Sequence, residues 1–111
     1  MRHILVIDDL PSKVKHLEQL KSETCKVIFV ETFVNARRAL LAMPDTFDSI
    51  YLDYDLDGRH NGVDLLDFLV YDKGLKKGCR IIPNSSSDTY NTLLKQKILD
   101  LGLSRRQSRK S

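Results

Sequence analysis

The chain has little cysteine: Cys25 and Cys79 are its only two. They stand far apart, with no Cys-x-x-Cys pair and no Cys/His spacing of the zinc type. A disulfide framework and a structural zinc site are therefore excluded as organising principles. Two free thiols in a reducing, cytoplasmic setting are the expectation. The chain also lacks any apolar run near the ~20 residues that a membrane-spanning helix needs. No charged leader followed by an apolar stretch precedes the first strand-like segment, so no secretory signal is expected. Internal repeats are missing as well. The last eight residues, 104–111, contain no apolar side chain and no acid.

What is present fits one domain. The 111 residues are 41% apolar, enough for a packed core. The net charge of +3 is unevenly placed, because Arg105, Arg106, Arg109 and Lys110 all lie in the tail. Without them the body is slightly acidic. Basicity is thus a property of the tail, and the body is not a basic nucleic-acid-binding domain. Nucleic acid is expected at most as a weak contact of that tail. His3, His16 and His60 are scattered without ligand or triad spacing and are expected at the surface.

Strand and helix signals alternate, which predicts βαβ units and a parallel sheet. Strands are expected near residues 3–7, 26–30, 49–52 and 80–82. Pro11-Ser12 opens a helix with Val14, Leu17 and Leu20 at three-residue spacing. A second helix carries Val34, Ala36, Ala39, Leu40 and Met43 and is stopped by Pro44. A third carries Val63, Leu66, Phe68, Leu69 and Val70 and is broken by Gly74 and Gly78. A fourth carries Leu94, Ile98 and Leu101, with Asp88 as its expected N-cap. Pro83 has no N–H to give to a ladder, so strand four is expected to be short or at an edge.

Two of the apolar runs end in carboxylates. Ile4-Leu5-Val6-Ile7 leads into Asp8-Asp9, and Ile50-Tyr51-Leu52 leads into Asp53 and Asp55. Such runs read as buried parallel strands, and the carboxyl edge of an open α/β sheet is where ligands bind. Neighbouring strands would bring Asp8, Asp9 and Asp53 into one crevice. Clustered carboxylates repel unless a cation neutralises them, and oxygen ligands favour a hard ion such as Mg²⁺. The run from Asp53 to Gly58 also has the look of a calcium loop, but it lacks the closing Glu.

Together these residues resemble the receiver domains of two-component response regulators. Leu5-Val6-Ile7-Asp8-Asp9 is similar to the family's acidic pair. Asp53 resembles its phosphoacceptor, Gly62 its glycine at the next helix, and Ser85, after Ile81-Ile82, its hydroxyl residue that contacts the phosphoryl group. The resemblance covers residues 2–103, leaving 104–111 as a basic tail. It implies a flavodoxin-like doubly wound sheet in the order 2-1-3-4. It also implies Mg²⁺ held by Asp8, Asp9, Asp53 and the Asp55 backbone carbonyl. Which of Ser85, Ser86 and Ser87 meets the phosphoryl group stays open.

The sequence departs from the family at its end. A full receiver has a fifth strand, closing in a lysine and a proline, and a fifth helix. Residues 104–111 hold nothing apolar to build that strand, and Lys110 lacks the context of that lysine. The fifth strand and helix are therefore expected to be missing, with an open sheet edge that a partner or a second copy could cover. The leading expectation is a stand-alone receiver-like signalling module. Asp53 would take its phosphoryl group from a histidine kinase, a phosphotransfer protein or a small phosphodonor. Its enzymatic activity would go no further than self-phosphorylation and self-dephosphorylation. The alternative is a degenerate receiver that binds a protein partner as a phosphorylation-independent adaptor. A third reading rests on the similarity of Asp53-Tyr54-Asp55-Leu56 and Asn61-Gly62-Val63-Asp64 to a receiver offshoot proposed to process cyclic phosphates. That offshoot carries a histidine where Tyr54 stands.

Overall fold

A computed structural model describes residues 1–43, 45–56, 60–72 and 78–103. The elements run β1 (Arg2–Ile7), α1 (Pro11–Val14), a 3-10 segment (Lys15–Leu20), β2 (Cys25–Val30), α2 (Phe33–Ala42), β3 (Ser49–Leu52), α3 (Gly62–Asp72), β4 (Arg80–Pro83) and α4 (Asp88–Asp100). The strands form one parallel sheet in the order β2-β1-β3-β4, as the sequence predicts. The expected tail, with Lys110, lies outside the described residues, as do Pro44, Asp57, Gly58 and Gly74. Among the described residues there is no fifth strand, and no helix is long and apolar enough to cross a membrane.

Period-two alternation along the strands sorts their side chains onto two faces. Leu5, Ile7, Ile50 and Leu52 point to one face and are sealed under α2, α3 and α4 by Ala36, Leu40, Leu65, Leu66, Leu69, Leu94 and Ile98. Ile4, Val6 and Val27 point to the other and meet Val14 and Leu17 of α1 and the 3-10 segment. Both cysteines are buried, and among the described residues neither forms a disulfide. Among the described residues β4 is an edge strand, four residues long, with Pro83 opposite Leu52. That placement agrees with a proline that has no hydrogen bond to give. His16 and His60 are exposed, and His3, within β1, is half-buried.

Two local expectations need correction. The helix opened by Pro11 is only four residues of α-helix, followed by six of 3-10 helix. Residues three apart eclipse one another at three residues per turn, so the strict spacing of Val14, Leu17 and Leu20 suits the tighter helix. Its last member, Leu20, is 38% exposed. The N-cap of α4 is Ser87 rather than Asp88: Ser87 is extended, and its side chain accepts from the Tyr90 N–H. Asp88 stands in the first turn, where a negative charge suits the helix dipole.

Candidate functional site

The alternation that places Ile4 and Val6 beneath α1 continues past the end of β1 to Asp8. Tyr51 pairs with Val6 in register, and two residues on lies Asp53. Both aspartates therefore emerge on the face that α1 covers. Both are buried, at 2% and 4% exposure, and they are joined by Asp9, which is more open to solvent. The three offer carboxylate oxygens that all lie within 4.8 Å of one another.

Each buried carboxylate is held by its own loop. Asp8 Oδ1 accepts from the Leu10 N–H at 2.9 Å, a side-chain turn that starts the path into α1. Asp8 Oδ2 is buried and accepts no backbone N–H. Asp53 Oδ1 accepts from the Tyr54 N–H at 2.8 Å, and the Asp53 N–H donates to the Ile7 carbonyl at 2.9 Å. Beneath Asp53, a Cβ added at Gly62 would stand 2.5 Å from the Asp53 carbonyl oxygen and 2.9 Å from Leu94 Cδ2. Glycine is thus required for the start of α3 to pack against the acidic loop. The Gly62 N–H also donates to the Tyr54 carbonyl at 2.7 Å. Asn61 and Asp64 cap α3 reciprocally, each side chain accepting from the other's backbone N–H at 3.0 and 3.1 Å.

A cation already reaches this pocket. Lys13, from α1, places Nζ 3.0 Å from Asp8 Oδ2 and 3.3 Å from Asp53 Oδ1, with its side chain still 24% exposed. Burial drives the Asp53 carboxyl pKa up to about 6, and the Asp8 charge pushes the same way; the charge and contact of Lys13 and the Tyr54 N–H oppose them. For Lys13, burial acts to lower the pKa. The Asp8 contact and the charges of Asp53 and Asp8 outweigh it, and the ammonium titrates above the ordinary lysine range. The lysine stays charged at neutral pH, and the pair it bridges is partly compensated.

The other predicted residues sit around this centre. The Asp55 side chain is exposed and outside the three-carboxylate group; its residue forms an isolated antiparallel bridge with Asn61. Ser85 follows β4, beside the end of β3, where the Asn84 N–H donates to the Leu52 carbonyl. Its Oγ accepts from the Ser87 N–H at 3.1 Å. Asn91 clamps its backbone in both directions, at 2.8 and 2.9 Å. Ser87 is committed to capping α4, and Ser86 is exposed.

Sequence reasoning missed the roles of four residues. Lys13 was legible only as a residue in the first turn after an acidic strand end, a turn that overhangs the sheet's carboxyl edge. Tyr54 and Tyr90 stack with ring centroids 4.0 Å apart and planes 10° from parallel, tying the loop after Asp53 to the start of α4. Asn91, with its clamp on Ser85, carried no local signal.

Three carboxylates in reach of one another, one buried oxygen partnered only by the Lys13 ammonium and an all-oxygen donor set suit a hard cation such as Mg²⁺. Lys13 now shares that space.

The fold has a solved counterpart. The chain is similar to the crystal structure of the phosphorylated cyanobacterial phytochrome response regulator RcpA, with a TM-score of 0.72 and 21% identity over 90% of this chain and 74% of that one. The likeness establishes a receiver-like, flavodoxin-like α/β fold. No protein-family model and no curated protein matches the chain.

Proposed function

We propose that this receiver-like chain is a signalling domain in which Asp53 accepts a phosphoryl group. The observation that carries this reading is the convergence of Asp8, Asp9 and Asp53 within 4.8 Å at the carboxyl edge of a receiver-like sheet. The phosphorylated state of RcpA supports the same class of chemistry. An Asp53 carboxylate oxygen attacks phosphorus to give an acyl phosphate. The bond from phosphorus to the donor breaks, and the donor leaves with its electron pair. The donor is the phosphohistidine of a kinase or phosphotransfer protein, or a small acyl phosphate. Asp53, with a pKa near 6, is largely ionised at neutral pH and so is nucleophilic. Asp8, Asp9 and Asp53, with the Asp55 carbonyl, would hold Mg²⁺, which when bound neutralises charge on the transferred oxygens. The Ser85 hydroxyl would donate to one of those oxygens. The output is a protein contact, for which β4 offers an edge with no neighbouring strand among the described residues.

A second reading is favoured by Lys13. Its ammonium partly compensates the buried pair without any metal, which a phosphorylation-independent adaptor could use. One experiment separates the two. The protein is incubated with Mg²⁺ and acetyl phosphate and its intact mass is measured. An added phosphoryl mass that is lost in Asp53→Asn is the expected result. An unmodified parent supports the adaptor, and labelling that persists in Asp53→Asn moves the acceptor elsewhere.

A further inference from the structure

We propose that Lys13 is a tethered cation that occupies the acidic pocket and that a divalent ion must displace it to enter. This rests on reading Asp8, Asp9 and Asp53 as the cation's ligands. The Lys13 ammonium lies 3.0 Å from Asp8 Oδ2 and 3.3 Å from Asp53 Oδ1, two of the three residues whose oxygens converge. No backbone N–H reaches Asp8 Oδ2, so the Lys13 ammonium is the partner of this buried oxygen. Mg²⁺ draws its oxygens to about 2.0–2.1 Å, so an ion on these carboxylates and an ammonium in contact with the same two would be close neighbours of like charge. In a buried site that repulsion is poorly screened.

The exchange needs no rearrangement of the fold. Lys13 is a long, flexible side chain, already 24% exposed, in a four-residue helix at the rim of the pocket. Rotation about its own bonds takes the ammonium into water. Lys15, two residues on, is exposed and makes no ionic contact with the cluster, so proximity in sequence alone does not produce the arrangement. The consequence is selectivity by charge. A monovalent ion offers the carboxylates no more charge than the tethered ammonium does, whereas a divalent ion offers twice as much. The pocket therefore responds to Mg²⁺ only when the ion outcompetes a cation that is always present.

Calorimetric titration with Mg²⁺ tests this on the full chain. Lys13→Met should bind Mg²⁺ at least tenfold more tightly than the parent, and Lys13→Arg, which keeps the charge, should stay near the parent. Equal Mg²⁺ affinity in the parent and Lys13→Met would overturn the role of Lys13 and leave the cation site standing. Binding in neither would overturn both. A second measurement does not depend on the variants' folding. In the parent, saturating Mg²⁺ should move the Lys13 side-chain NMR resonances toward those of the exposed Lys15. Lys13 resonances that stay in place while Mg²⁺ binds would overturn the proposal.

Discussion

On one face of the sheet, Leu5, Ile7, Ile50 and Leu52 lie under three helices, α2, α3 and α4. On the other, Ile4, Val6 and Tyr51 meet a four-residue helix and a 3-10 segment, and the same face ends in Asp8 and Asp53. Alternate residues of the same strands supply both. The contrast teaches where this fold keeps its stability and where it keeps its charge. The buried core of the thick face is apolar. The thin face gives up cover at its carboxyl end, and there two buried carboxylates and a lysine replace apolar packing.

Substitutions that act on one face at a time sharpen this contrast. The largest effect is expected on the thick face. Leu94 is fully buried between α4 and the sheet, and Leu94→Ala should cost about 4 kcal/mol in chemical denaturation. Leu17→Ala, under the thinner cover, should cost about 2 kcal/mol, because a short 3-10 segment can settle into the space left. Equal losses would break the comparison.

Gly62 links the two regions, since it starts a thick-face helix and abuts the carbonyl of Asp53. Gly62→Ala should destabilise by about 2 kcal/mol, because the added carbon meets backbone that cannot rotate away. The amide resonances of Asp53 and Tyr54 should shift with it. An alanine tolerated with neither effect would show that the acidic loop is not braced by α3.

The smallest effect is expected from removing residues 104–111. They contain nothing apolar to bury, so thermal stability should stay within ~0.5 kcal/mol of the parent, while binding to an acidic partner should weaken, most clearly at low salt. A large loss of stability would mean that the tail packs, and would reopen Lys110 as a phosphate-contacting lysine.

Much of this was legible in the sequence, and for identifiable reasons. A parallel strand buried on both faces is a nearly continuous apolar run, so Ile4-Leu5-Val6-Ile7 and Ile50-Tyr51-Leu52 marked themselves. Their terminal carboxylates could be placed together because parallel neighbours end at one edge. Pro83 marked a strand that would be short or marginal, and β4 is four residues long and last in the order of the described sheet. What stayed hidden depends on direction rather than on composition. Nothing in Pro11-Ser12-Lys13 says which side chain of the first turn faces the pocket. The serines after β4 could not be ranked either, because the choice between Ser87 and Asp88 as cap turns on the dihedral angles of one residue. The Tyr54–Tyr90 stack joins residues distant in sequence that share no periodic pattern.

The central claim is that Asp8 and Asp53 are buried together on the thin face with their repulsion only partly compensated by Lys13. It is tested most directly by measuring the folding stability of the parent and of Asp53→Asn, by denaturant titration, at pH 7 and at pH 4. The folded-state pKa of Asp53 is raised to about 6 from an ordinary value of 3.8. Between those two values the folded state binds a proton that the unfolded state does not, so the parent loses stability as pH rises through the window and holds it in full below. Asp53→Asn carries no such titration. The account predicts that Asp53→Asn is the more stable protein at pH 7, by of order 2 kcal/mol, and that the gap nearly closes at pH 4. A parent that equals or exceeds Asp53→Asn in stability at pH 7 would contradict it, since the Asp53 carboxylate would then be fully compensated in the fold.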